Sequence, residues 1–409
     1  MRPKTMTSRQ RVITTLRHEE PDKVPIDLGG MASTSIMAIA YNKLKQHLGF
    51  PKTPTRISDM SQQLAEVEKE ILDYFEVDVI SLENSFHADG AHWIDWPLPN
   101  GSPAKIHKSN APEWREGRWV LMDGSRIAAQ MPPSCLYFES CNPPLGKATS
   151  EKELQDYPWS YFTDEKLRQL EEKAKRLFYE TDYAIMGNFG GSIVEAAEWL
   201  RGWSNFMLDL IANPDFTFVV LEKLTQVHLK NLQGYLQAVG PYIQIIQMGD
   251  DLGAQNAPQF SPDLYRELVK PFHKQIYQYA RRHADAKVFL HSCGSIYDFI
   301  PDLLDAGVEI LNPVQFTAAK MDAQRLKQEF GDRITFWGGG VDTQHVLPYG
   351  TPEEVARQAD EQIQIFAPGG GFVFSAVHNI QANVPVENIL ALFAAAKRGR
   401  DYPVGLDKT

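Results

Sequence analysis

His291-Ser292-Cys293 is the sharpest chemical signal in the chain. It ends an apolar run that has the length and character of a buried strand. Residues two apart on a strand point to the same side, so the imidazole and the thiol are presented together. Neutral imidazole and thiolate are both good zinc ligands, and two of them on one strand make half of a tetrahedral site. The bland alternative is a hydrogen-bonded histidine beside a small buried cysteine. A third ligand has to come from elsewhere. His378, at the end of a later apolar run, is the candidate, and as a lone histidine it could equally do acid–base work. Asp250 and Asp251 end the run before His291. They can reach a metal, stabilise charge as catalytic groups, bind substrate, or cap the following helix.

These residues need a scaffold that brings strand ends together. A helix is expected from Thr7, with Gln10 placed for a capping box and Val12, Ile13 and Leu16 as its apolar stripe. A short strand follows at 24–28, then a glycine turn at Gly29-Gly30. Residues 64–75 read as a helix and 77–83 as the next strand. Further strands are expected at 183–189, 243–248, 287–291, 309–314, 334–337 and 372–377. Helical patterns separate them at 165–179, 215–239, 263–283, 296–306, 323–329 and 352–366. Eight strands alternating with helices predict an α/β fold, a (β/α)8 TIM barrel. The stretch 92–150 breaks this rhythm. Its prolines, its tryptophans (Trp93, Trp96, Trp114, Trp119) and its Asp123-Gly124 hairpin signal predict a β-rich insertion after the second strand. Residues 1–409 are thus read as one domain. The rival doubly wound sheet requires a glycine-rich phosphate fingerprint after the first strand, and Gly29-Gly30 is not one.

Barrel chemistry sits at the C-terminal ends of the strands. The polar residues found there are Asp27, Glu83, Asn84, Asn188, Asp250, Asp251, His291, Cys293, Asn312, Gln315, Asp342, His378 and Asn379. Of these, Glu83, Asn188, Asn312, Gln315 and Asp342 are the candidates for holding substrate. Loops are polar for ordinary reasons as well. Glu195, after Gly190-Gly191-Ser192, is explained as a helix-start carboxylate favoured by the dipole. The Gly338-Gly339-Gly340 run allows either a tight turn or a close ligand approach.

Composition excludes several classes. The 409 residues carry 41 basic and 52 acidic side chains, a net charge of −11, which is no footprint for a nucleic-acid partner. Three cysteines make no disulfide framework and fit a reducing compartment. Cys135 and Cys141 require no role. No apolar stretch reaches the roughly 18 residues of a membrane span, and residues 1–10 lack the apolar centre of a signal peptide. A cytoplasmic protein is expected, and a homodimer is compatible with it.

From Arg9 to about Lys397 the chain resembles the uroporphyrinogen decarboxylase superfamily. The resemblance is carried by Arg9-Gln10-Arg11-Val12 through Pro21-Asp22-Lys23-Val24-Pro25. It is strongest in His291-Ser292-Cys293-Gly294-Ser295-Ile296 and Leu311-Asn312-Pro313-Val314-Gln315. It continues in Phe336-Trp337-Gly338-Gly339-Gly340-Val341-Asp342 and His378-Asn379-Ile380-Gln381. It implies a TIM barrel and one of two activities. One branch holds metal-free decarboxylases of haem biosynthesis. The other holds zinc methyltransferases that move a methyl group from a corrinoid protein to a thiol, and these use a His-x-Cys pair with a later cysteine. His291 and Cys293 match the second branch. No cysteine follows Cys293, and His378 stands about where that ligand is expected. The decarboxylase branch has an arginine motif at the first strand that grips substrate carboxylates. Here that stretch is Leu28-Gly29-Gly30-Met31-Ala32-Ser33, with no arginine between Arg17 and Arg56. A polyanionic substrate needs such a grip.

The resemblance therefore implies methyl transfer with Zn2+ on His291, Cys293 and His378. The small-molecule partner is a thiol or a small methylated compound. No Asp-x-His-x-x-Gly run is present, so a corrinoid is expected on a partner protein. The second reading is a metal-free decarboxylase or lyase, with His378 as general acid and Asp250 or Asp251 stabilising charge.

Overall fold

The computed structural model describes residues 5–50, 53–87 and 92–404. Residues 1–4, part of the N-terminal segment considered above for a signal peptide, lie outside the described residues. The chain folds as mixed α/β around a curled parallel sheet of seven strands. In sheet order these are Phe372–Val373, Thr335–Trp337, Ile310–Asn312, Lys287–His291, Ile245–Gly249, Ala184–Gly190 and Val79–Ser81. Sequential strands are neighbours, and every pairing is parallel. This is consistent with a TIM-like barrel. Residues 25–27 lie between the two sheet edges. Ile26 bridges Phe374 in parallel, and its carbonyl accepts from the Asp78 amide at 2.8 Å.

Alternation along the strands sorts side chains into two layers. Val79, Ala184, Met186, Ile245, Phe289, Ile310, Trp337 and Val373 form one apolar cluster inside the curl, joined by Val12 and Leu16. Those two come from or just follow the Ser8–Thr15 helix, which begins at the expected Thr7 cap with the Gln10 capping box in place. Their neighbours Ile80, Ile185, Ile246, Val288, Leu311 and Phe336 face the surrounding helices in a second, larger core.

Three expectations need correction. The 372–377 strand closes at Val373, with Phe374 only bridged to Ile26, so His378 lies in the loop beyond it. The 24–28 strand reduces to the single bridge at Ile26. The 64–75 helix is a strand pair followed by a helix: Leu64–Ala65 runs antiparallel to Thr55–Asp59, and the helix spans only Lys69–Phe75. Partners outside the segment decide this. Ala65 and Glu66 donate to the Ile36 and Arg56 carbonyls, and Gln63 takes φ 52, so the helical ladder cannot start there. Residues 93–140 hold six short strands. Trp93–Pro97 pairs with Pro103–His107, while Glu113–Arg115, Arg118–Asp123, Arg126–Met131 and Glu139–Ser140 form a separate antiparallel sheet. Among the described residues, no helix is long and apolar enough to cross a membrane.

Candidate metal centre

His291 closes its strand in register with Gly249 on one side and Asn312 on the other. The Asn312 amide is oriented by its nitrogen, which donates to the Trp337 carbonyl at 2.9 Å. Its oxygen therefore accepts from His291 Nδ1 at 2.6 Å. That assignment leaves Nε2 unprotonated, with its lone pair directed away from Asn312. Nε2 lies 3.4 Å from Cys293 Sγ, 3.3 Å from Ser33 Oγ and 3.8 Å from Asp251 Oδ1.

The loop bearing Cys293 is clamped from several sides. Its own amide donates to Asp251 Oδ1 at 2.7 Å, and the Gly294 amide donates to Gln315 Oε1 at 2.8 Å. Ser292 Oγ accepts from Leu252 N at 3.0 Å. Gly294 has φ 84, and a Cβ there would meet the Gly253 carbonyl carbon at 2.5 Å. Only glycine permits this backbone contact.

His378 brings its ring to 5.8 Å from that of His291. One ligand atom each from His291, Cys293 and His378 lies within 4.8 Å of the others. Burial, then the neighbouring His291, pushes His378 down to about 4, so its imidazole is neutral and able to coordinate. Burial raises Cys293 well above a thiol's ordinary range, and the charges of Asp251 and Glu195 raise it further. Glu195 and Glu198 are pushed up to about 8, first by burial and then by the Asp250 and Asp251 charges. Two imidazoles and a thiol, ringed by acids that raise one another, form a donor set suited to a divalent cation.

The structure turns other expected site residues to different work. Asp250 is fully buried. It accepts from Ile193, Val194 and Glu195 amides at 2.7–2.8 Å and from His273 Nε2 at 2.8 Å. It caps the Val194–Arg201 helix and stands apart from the His–Cys–His cluster. Asp251 does reach that cluster. Asn312 sits behind His291 and Gln315 behind Cys293, each held by internal partners. Asp342 accepts from the Gln344 and His345 amides and so closes a turn. Glu83 accepts from Tyr235 Oη at 2.6 Å and the Asn188 amide at 2.8 Å. Asn188 donates to Gly30 O and Ser81 Oγ, but its Oδ1 is buried without a partner. It alone of the five proposed substrate residues keeps an unused polar atom. Sequence reasoning missed Ser33, Glu198 and His273. Ser33 and Glu198 follow from no motif, and His273 lies mid-helix with nothing to separate it from a core histidine.

A family model described as "Uroporphyrinogen decarboxylase (URO-D)" matches residues 143–399, more than half of the chain. Uroporphyrinogen decarboxylases from strains of Coxiella burnetii are 22% identical over 192 residues. That match covers 46% of this chain and 49% of theirs, so the chain spans about half the length of the curated relatives it matches. Among solved structures, a methyltransferase from Methanosarcina mazei superposes with a TM-score of 0.61 at 18% identity, covering 96% of this chain and 99% of that one. At that identity the likeness is one of fold. By the family match over 143–399, the chain belongs to the uroporphyrinogen decarboxylase family.

Proposed function

We propose that the chain is a zinc methyltransferase that moves a methyl group between a corrinoid on a partner protein and a thiol or small methylated compound. The observation that carries this reading is the convergence of His291, Cys293 and His378 ligand atoms within 4.8 Å. When bound there, zinc lowers the pKa of a thiol or polarises a leaving heteroatom. The protein's part is to hold the donors ready. Asn312 fixes the His291 tautomer, Asp251 and Gln315 fix the Cys293 loop, and Asp251, 34% exposed, is placed to take a proton beside the ligands. The fold shared with a methyltransferase is compatible with this reading. Residues 1–409 then form one barrel domain in the cytoplasm. Residues 92–150 are an excursion beside its mouth, a reading supported by the hydrogen bond from Tyr137 to Gln381.

The curated relatives favour the second reading, a metal-free decarboxylase. Its general acid does not fit. A histidine held near 4 is neutral at pH 7 and carries no proton to give, while both Asp250 oxygens are already hydrogen-bonded. Metal analysis of protein purified without chelator, paired with a transfer assay using methylated corrinoid and thiols, tests the proposal. One zinc per chain and transfer that is lost in Cys293→Ala are expected. Metal-free protein that decarboxylates a porphyrinogen would overturn it.

A further inference from the structure

A recess of 630 Å3 opens beside the metal centre. One wall is the start of the Val194–Arg201 helix with Glu195, Glu198 and Trp199; Trp203, Cys141 and Pro143 complete it. Glu195 and Glu198 lie three apart on one helical face. Among the described residues, no lysine or arginine forms an ion pair with either. One Glu198 oxygen, Oε1, is enclosed and has no hydrogen-bond donor, so ionising this carboxyl without a cationic partner is costly. Trp199 and Trp203 are 38% and 59% exposed. Aromatic faces beside acids are the chemistry that holds methylated cations. The Trp199 ring already takes one cation: Arg126 lies over it at 5.1 Å, tied to Asp123 and the Asn142 carbonyl. One of its acids also stands close to the strand of the proposed metal ligands. A Cβ on Gly249 would stand 3.9 Å from Glu195 Oε2 and 3.8 Å from His291 Cβ, so a single glycine separates that carboxylate from the ligand strand.

We propose that this recess binds a cationic methylated nitrogen compound, a quaternary ammonium or a protonated methylamine. The acids, largely protonated without a cation beside them, ionise against a bound cation and supply its counter-charge. Trp203 and the face of Trp199 that Arg126 leaves free meet the methyl groups, and the lack of a lysine or arginine paired to either acid disfavours an anionic ligand. That the compound is the small methylated partner of the reaction rests on the methyl-transfer reading; that it binds does not.

The test is calorimetric titration of the full-length, zinc-loaded protein with choline and with its neutral isostere 3,3-dimethylbutan-1-ol. Choline is expected to bind about tenfold more tightly or better. Glu195→Gln with Glu198→Gln, and separately Trp199→Leu with Trp203→Leu, are each expected to weaken choline by about tenfold while the isostere changes little. Thermal melts check that both variants fold. Comparing tetramethylammonium with trimethylammonium shows which kind of nitrogen is preferred. Equal affinity for choline and its isostere, cation binding that neither variant pair weakens, or no cation binding at millimolar concentration would overturn the proposal. Zinc content is measured on the same samples, and the titration is repeated after metal removal. A chain without zinc that still binds choline fails only the metal reading. A zinc-loaded chain indifferent to choline fails only this one.

Discussion

The Asn312 side chain stands between His291 Nδ1, 2.6 Å from its oxygen, and the Trp337 carbonyl, 2.9 Å from its nitrogen. One amide on the adjacent strand thus sets the tautomer of the first proposed metal ligand. Outer partners of this kind orient ligand rings, and losing one typically costs about 10–100-fold in metal affinity. Asn312→Ala is expected to weaken zinc by that range in a chelator competition. It also leaves the His291 Nδ1–H and the Trp337 carbonyl unpaired in the interior, at about 1–3 kcal/mol of stability. An unchanged zinc affinity would mean that packing alone holds the ring.

Cys293→Ala is expected to lose most bound zinc while keeping its circular dichroism, because the loop adds little to either barrel core. His378→Ala is the finer test of the ligand set. Stoichiometric zinc in that variant would release His378 to substrate or proton transfer and make Asp251, 3.8 Å from His291 Nε2, the better ligand.

The two neighbouring aspartates should separate cleanly. Asp250 and His273 form a fully buried pair at 2.8 Å, and Asp250 also caps a helix. Asp250→Ala strands an imidazole and three amides and is expected to cost about 3–5 kcal/mol in denaturant unfolding. Asp251→Ala should leave the midpoint nearly unchanged and act on the metal site. Equal losses would show that both acids are structural.

Stability of the metal-free protein should depend on pH in two windows. His378 is lowered from 6.5 to about 4, so the unfolded chain binds the extra proton between those values. Its contribution is therefore complete above 6.5 and lost as pH falls towards 4. Glu198 is raised from 4.5 to about 8, so the folded chain binds the extra proton, and stability falls as pH rises from 4.5 through 8. Thermal melts of Glu198→Gln should show a larger gain over wild type at pH 8.5 than at pH 5. A gain that does not change with pH would mean the carboxylate is not held protonated in the fold.

The sequence by itself determined the parallel α/β alternation and the strand that ends at His291, with Cys293 two residues beyond in its loop. Both rest on local periodicity, which packing did not override: the Lys287–His291 strand and the Pro352–Phe366 helix stand where the pattern put them. It also marked His378 as the polar residue after the last apolar run, although the strand itself closes at Val373 and the histidine is carried on the loop beyond it. Tertiary structure decided which strand-end residues are free to act. Asp250, Asn312 and Gln315 look alike in sequence, each a polar residue after an apolar run, yet each finds its hydrogen-bond partners on a neighbouring strand, helix or loop. Those partners are set by strand register and loop path, which residue types do not encode locally. The same holds for the 64–75 segment, whose backbone donors are met by residues 36 and 56 instead of its own turn. Glu195 reads as an ordinary helix-start acid until the fold sets it beside Asp250, Asp251 and Glu198, and only that crowding of like charge gives it a role.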